Sequence, residues 1–108
     1  MAQYPNVVIT ENGGTNSALN VTAAKVIKAA PGRLARISVI APGTTSGALT
    51  INDCLTTGAA TTSNEVFTIA YGSMSVGQVI ALDWPFQVGI VVSAVPGGGS
   101  PQYSISYF

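Results

Sequence analysis

Along this chain, apolar positions alternate with polar ones over short runs, and no stretch sustains the three-to-four spacing of a long amphipathic helix. The clearest case is the end of the sequence, where Tyr103, Ile105 and Tyr107 interleave with Gln102, Ser104 and Ser106, the period of a half-buried strand. Between Gly77 and Phe108, three apolar runs, Val79–Leu82, Val88–Val95 and Tyr103–Phe108, are separated by Trp84-Pro85 and by Pro96-Gly97-Gly98-Gly99-Ser100-Pro101. Such punctuation predicts three consecutive antiparallel strands, with the second break serving as a hairpin connection.

Earlier in the chain the same pattern recurs. Val7–Thr10 is a first strand candidate, preceded by an arm over about residues 1–5 that contains Tyr4. From Ala18 to Ala30 the odd positions are apolar except for Lys25, which suits one bent strand or two short ones. Thr22–Ala30 has helix-forming residues, but nine residues make a marginal helix, and the following Pro31-Gly32 favours a hairpin with Arg33–Ala41. Leu49–Asn52 and Glu65–Tyr71 alternate again, the latter with no evident partner, and Asp53–Asn64 reads as a long polar surface loop. About eight short strands with Gly/Pro turns predict an all-β chain, an antiparallel β-sandwich of jelly-roll-like form, with a small closed barrel as the alternative. The 108 residues suit a single domain.

Composition sharpens this picture. Charged residues make up only 7% of the chain and the formal net charge is zero, so charge repulsion does little to keep copies apart and a homo-oligomer, dimer or trimer, is expected. There is no histidine, which removes the usual base for Ser or Cys nucleophiles and the commonest zinc ligand. The acids Glu11, Asp53, Glu65 and Asp83 are dispersed, and Asp53 and Asp83 sit where turn residues belong. An enzyme is not expected, nor is any cofactor or metal. The lone Cys54 reads as a small buried hydrophobe, and Gly97-Gly98-Gly99 lacks the Lys-Ser/Thr of a phosphate loop. The N-terminal residues lack the basic and apolar regions of a secretory signal, and no apolar run is long enough to span a membrane.

All four cations, Lys25, Lys28, Arg33 and Arg36, fall within twelve residues. In a hairpin turning at Pro31-Gly32, Lys28 and Arg33 would share one face while Lys25 and Arg36 share the other. Two cations per face, with no stacking platform beside them, argue against nucleic acid and for docking onto an acidic protein surface. Trp84 and Phe86, around Pro85, are core plugs or an interface anchor, with core favoured.

The segments VIKAAPGRLARISVIAPGTTSGALTINDC (Val26–Cys54) and GQVIALDWPFQVGIVVSAVPGGG (Gly77–Gly99) resemble short β-rich structural proteins of tailed bacteriophages and prophages, in particular capsid decoration or cement proteins. The resemblance covers roughly half the chain. It implies a jelly-roll-like domain on the outside of the virion head that binds the major capsid protein and its own symmetry mates, and that passes through the host cytoplasm during assembly. Neither nucleic acid nor membrane is expected as a partner. Candidate contacts are Tyr4, Lys25, Lys28, Arg33, Arg36 and Trp84. The alternative is a tail, fibre or host-surface carbohydrate-binding module using Trp84, Tyr71, Tyr103 and Tyr107 as stacking rings.

Overall fold

The computed structural model describes residues 13–108. The arm with Tyr4 and the Val7–Thr10 strand candidate lie outside the described residues. Eight strands follow one another: β1 (Asn16–Val21), β2 (Lys25–Lys28), β3 (Gly32–Ala41), β4 (Ala48–Asp53), β5 (Glu65–Ala70), β6 (Val79–Phe86), β7 (Ile90–Ala94) and β8 (Gln102–Tyr107). They form two four-stranded antiparallel sheets, ordered β1-β8-β3-β6 and β2-β7-β4-β5. The pairs β1-β8, β2-β7, β3-β6 and β4-β5 are those of one long hairpin, tipped between β4 and β5, rolled up so that alternate rungs fall into opposite sheets. That is the connectivity of a jelly roll.

The alternation anticipated from the sequence puts one face of each strand inward. Leu34, Ile37 and Val39 of β3 meet Tyr103 and Ile105 of β8 in one sheet, and pack on Leu49 and Ile51 of β4 and Ile90 and Val92 of β7 in the other. Each such aliphatic side chain contributes roughly 1.5–3 kcal/mol when fully removed from water. Tyr103, wholly buried, keeps its hydroxyl satisfied by donating to the Pro42 carbonyl at 3.2 Å, and burial raises its pKa. The segment Ala18–Ala30 forms two short strands rather than one bent one, and no helix.

Four expectations are corrected. Strands β6, β7 and β8 follow one another along the chain but do not pair with one another, because β7 lies in the opposite sheet. Likewise Pro31-Gly32 does not close a hairpin: β2 pairs with β7 while β3 pairs with β6 and β8. Proline and glycine mark where the chain reverses, but a reversal can carry it across the sandwich as readily as back along its own sheet. The glycine run is therefore a crossover too. Its Gly97 amide donates to Ser46 O at 2.8 Å and its carbonyl accepts from the Thr44 and Thr45 amides, tying the β7–β8 and β3–β4 connections together. Gly98 and Gly99 have φ of +71° and +67° and lie hard against the Thr44 and Thr45 side chains, so only glycine fits there.

Finally, Trp84-Pro85 does not break the β6 strand. Asp83, at φ +48°, shifts the register between Leu34↔Trp84 and Arg36↔Ala81, a bulge that lets the strand run on to Phe86. Pro85 is tolerated because β6 is a sheet edge.

Candidate functional site

The two-sheet topology divides the cationic cluster. Lys25 and Lys28 lie on β2, an edge of one sheet, whereas Arg33 and Arg36 lie on β3, inside the other. The expected face sharing across a hairpin is therefore wrong, since the hairpin does not exist. Lys28 instead crosses the end of the sandwich, its Nζ donating to the Phe108 carbonyl at 2.8 Å, while the Phe108 amide donates to Arg33 O at 2.9 Å. Lys28 thereby acts as a strut between β2 and the end of β8.

Arg33 is also engaged. Its guanidinium donates to the Asp83 carboxylate at 3.1 Å and to the Asp83 carbonyl at 3.0 Å, so the bulge residue of β6 is held by the neighbouring strand. Both side chains are well exposed, and such a pair contributes at most about 1 kcal/mol. Trp84, next in sequence, is 51% exposed, while Phe86 is 2% exposed and belongs to the core. The core expectation thus holds for Phe86 and fails for Trp84, which follows the Asp83 bulge on an edge strand with β3 on one side only.

Arg36 and Lys25 are the candidate cations with no side-chain hydrogen bond or ion pair among the described residues. Arg36 stands on the outer face of the β1-β8-β3-β6 sheet. Its row runs from Ser17 through Ser106 to Arg36 and Ala81, and the next row places Ser104 beside Ser38 and Val79. These small side chains leave a shallow hollow of about 210 Å³ with Arg36 and the exposed Val79 on its border. Gly13 approaches the same guanidinium, since a Cβ built there would lie 3.4 Å from it. The structure thus gathers Arg33, Arg36 and Trp84 on one sheet and sets Lys25 and Lys28 apart. The serines were visible as the polar half of the β8 alternation, but their junction with Ser17 and Ser38 needed the β1-β8-β3 pairing.

The other sheet carries a different feature that residue patterns did not reveal. Asp53 ends β4 and accepts hydrogen bonds from three successive amides, Gln87 at 2.9 Å, Val88 at 2.8 Å and Gly89 at 3.1 Å. Burial pushes its carboxyl upward, but the three amides together outweigh that and hold its pKa below the ordinary value. It therefore fastens the β6–β7 connection rather than forming a local turn of its own. Beside it Cys54 is buried, and burial above all, with the Asp53 charge adding, raises the thiol against a lowering contribution from the Thr56 backbone. The thiol is the inert kind.

Beyond Cys54 the loop makes two 3-10 turns, Thr57–Ala59 and Thr62–Asn64, and folds over the outer face of the second sheet. Asn52, only 2% exposed, anchors it: its amide nitrogen donates to Thr61 O at 2.8 Å and Asn64 Oδ1 at 2.7 Å, and its oxygen accepts from Ser93 Oγ at 2.6 Å. A polar cleft of about 380 Å³ remains between loop and sheet, bordered by Thr57, Thr62, Ser93 and Glu65.

Of the rings considered for sugar stacking, Tyr103 is in the core, Tyr71 and Tyr107 are half-buried, and Trp84 is exposed at the other sheet's edge from Tyr71. No three or more acidic or cysteine side chains converge among the described residues, and no helix there is long and apolar enough to cross a membrane. Comparison with known proteins adds no relative: no family model matches the chain, and neither a curated protein nor a solved structure matches it.

Proposed function

We propose that this domain is a non-enzymatic virion structural protein that binds the outside of a phage head and cements major capsid protein subunits. The observation that carries this reading is the outer face of the β1-β8-β3-β6 sheet. It is a surface of serines with Arg36, a cation that has no side-chain partner among the described residues, and an adjacent exposed apolar residue, Val79. A surface of that kind suits close contact with another protein, where small side chains let the backbones approach and one arginine pairs with a carboxylate. The jelly-roll connectivity and the sparse charge agree with it. The absence of histidine from the sequence, with Asp53 bound to amides and Asp83 to Arg33, supports a non-catalytic role.

The carbohydrate-binding alternative has less to stand on, because the four rings do not form a row. The decisive experiment adds purified protein to undecorated shells. Saturable binding with a raised shell melting temperature is expected. Arg36→Glu should weaken that binding about tenfold or more, since like charges then face one another, while leaving the domain's own melt unchanged. Absence of saturable binding removes the cement role, and full affinity in Arg36→Glu removes this face from it.

A further inference from the structure

Among the described residues each sheet of the sandwich has two edges, and three of the four are blunted against pairing with another chain. On β1 the register breaks between Ala18 and Val21, with Asn20 at φ +58°. On β6 the Asp83 bulge and Pro85 interrupt the edge. Strand β2 is four residues long, is bulged between Val26 and Lys28, and carries two lysines. Bulges, prolines, lysines and short length are the usual devices that keep edges from pairing.

The fourth edge, β5, has almost none of them. Its six residues, Glu65-Val66-Phe67-Thr68-Ile69-Ala70, include no proline, no glycine and no positive φ. Its ladder with β4 is unbroken from Ala48↔Ala70 to Ile51↔Phe67, and its one irregularity, the extra residue Val66, falls beyond that stretch at the Glu65 end. Its middle is aromatic and β-branched, the composition that favours strands. Phe67 and Ile69 point to the core yet stay only half-buried, whereas Leu49 and Ile51 opposite them are fully buried. One more strand would cover them.

We infer that β5 pairs antiparallel with β5 of a second copy, about a two-fold axis through Thr68, joining two four-stranded sheets into one of eight strands. The occupant follows from the strand's own sequence. With Thr68 opposite the partner's Thr68, Phe67 falls opposite the partner's Ile69, so both inward residues stay inward and form an aromatic–β-branched pair, a favourable cross-strand combination. Glu65 lies toward the partner's Tyr71, so the two carboxylates sit at opposite ends and no like charges oppose one another. The hydroxyls of Thr50 and Thr68, already 3.1 Å apart, continue on the outer face as a row of four threonines across the junction. A net charge of zero sets no long-range repulsion against the encounter. The interface is isologous, so it closes at two copies. It does not depend on the virion role and holds whatever the Arg36 face binds.

Sedimentation equilibrium of the full chain tests this, together with oxidative cross-linking. The wild type should show a concentration-dependent dimer. Thr68→Cys should give a disulfide-linked dimer on oxidation, since its symmetry mate lies directly opposite and Cys54 is buried, whereas Ala81→Cys on the β6 edge should not. Thr68→Lys, which sets two cations face to face at an exposed position, should weaken the dimer about tenfold or more with its melt little changed. Thr68→Val should keep it. A monomer at every concentration reached, a trimer, or a dimer indifferent to Thr68→Lys would overturn the proposal.

Discussion

The Asp53 carboxylate does more for the fold than any of the four cations. Three amides in a row converge on it from a connection more than thirty residues away in sequence, and none of them has a strand partner to turn to. Gly89, the last of the three, is pressed between strands: a Cβ there would lie 2.5 Å from Cys54 O and 2.9 Å from Lys28 O. The carboxylate is thus matched to a loop that no other side chain holds by hydrogen bonds among the described residues. Asp53→Asn leaves one acceptor where there were two charged ones, and should cost roughly 1–3 kcal/mol in denaturant unfolding at neutral pH. Because the folded-state pKa is depressed, the Asp53 contribution is complete above the unfolded value of about 3.9 and is lost as pH falls through the lower folded value. The gap between wild type and Asp53→Asn should therefore narrow below about pH 4, and a gap independent of pH would show that geometry, not charge, holds the connection. From the sequence Asp53 was legible only as a turn residue, since its acceptor role depends on where β6 ends.

At the scale of elements, strands were legible and pairings were not. Alternation located β3, β4, β5 and β8 because one face of each meets the core and the other does not. It failed at β6, where the run Leu82-Asp83-Trp84-Pro85 looks like an end but is a bulge held by Arg33. It was also silent on which strands are neighbours, because turn residues report a change of direction and not its destination. The one adjacent pair that does form a ladder, β4 with β5, is the pair whose turn chemistry was least evident, being joined by a loop with two 3-10 turns. What fixes that loop is Asn52. Replacing Asn52 with leucine removes the three hydrogen bonds it makes to Ser93, Asn64 and Thr61, at a cost of about 1–3 kcal/mol. Hydrogen exchange should then accelerate across residues 55–64 while the amides of β3 and β8 keep their protection. Equal loss of protection in all of them would mean the loop is inseparable from the sandwich.

For the molecule as a whole, the two proposed contacts use different sheets: the serine face with Arg36 on one, and the β5 edge with its threonine row on the other. The candidate site was half legible. Arg36 and Trp84 do lie at the surface, but Lys28 is committed to Phe108 and Arg33 to Asp83, partnerships that bring together residues far apart in the chain. The rolled-hairpin connectivity also dictates the order in which the domain is made. Beyond β4 and β5, every ladder joins residues separated by long stretches of chain, and β1 and β3 both wait for Gln102–Tyr107. A fold of such non-local contacts should form in about milliseconds to seconds, and a refolding trace in the microsecond range would contradict that. During synthesis, the β1-β8-β3-β6 sheet has a gap at its second position until β8 emerges. Until β8 is made, β1 therefore has no strand beside it and β3 has only β6, so their apolar faces stay open to other chains while the second sheet can already close.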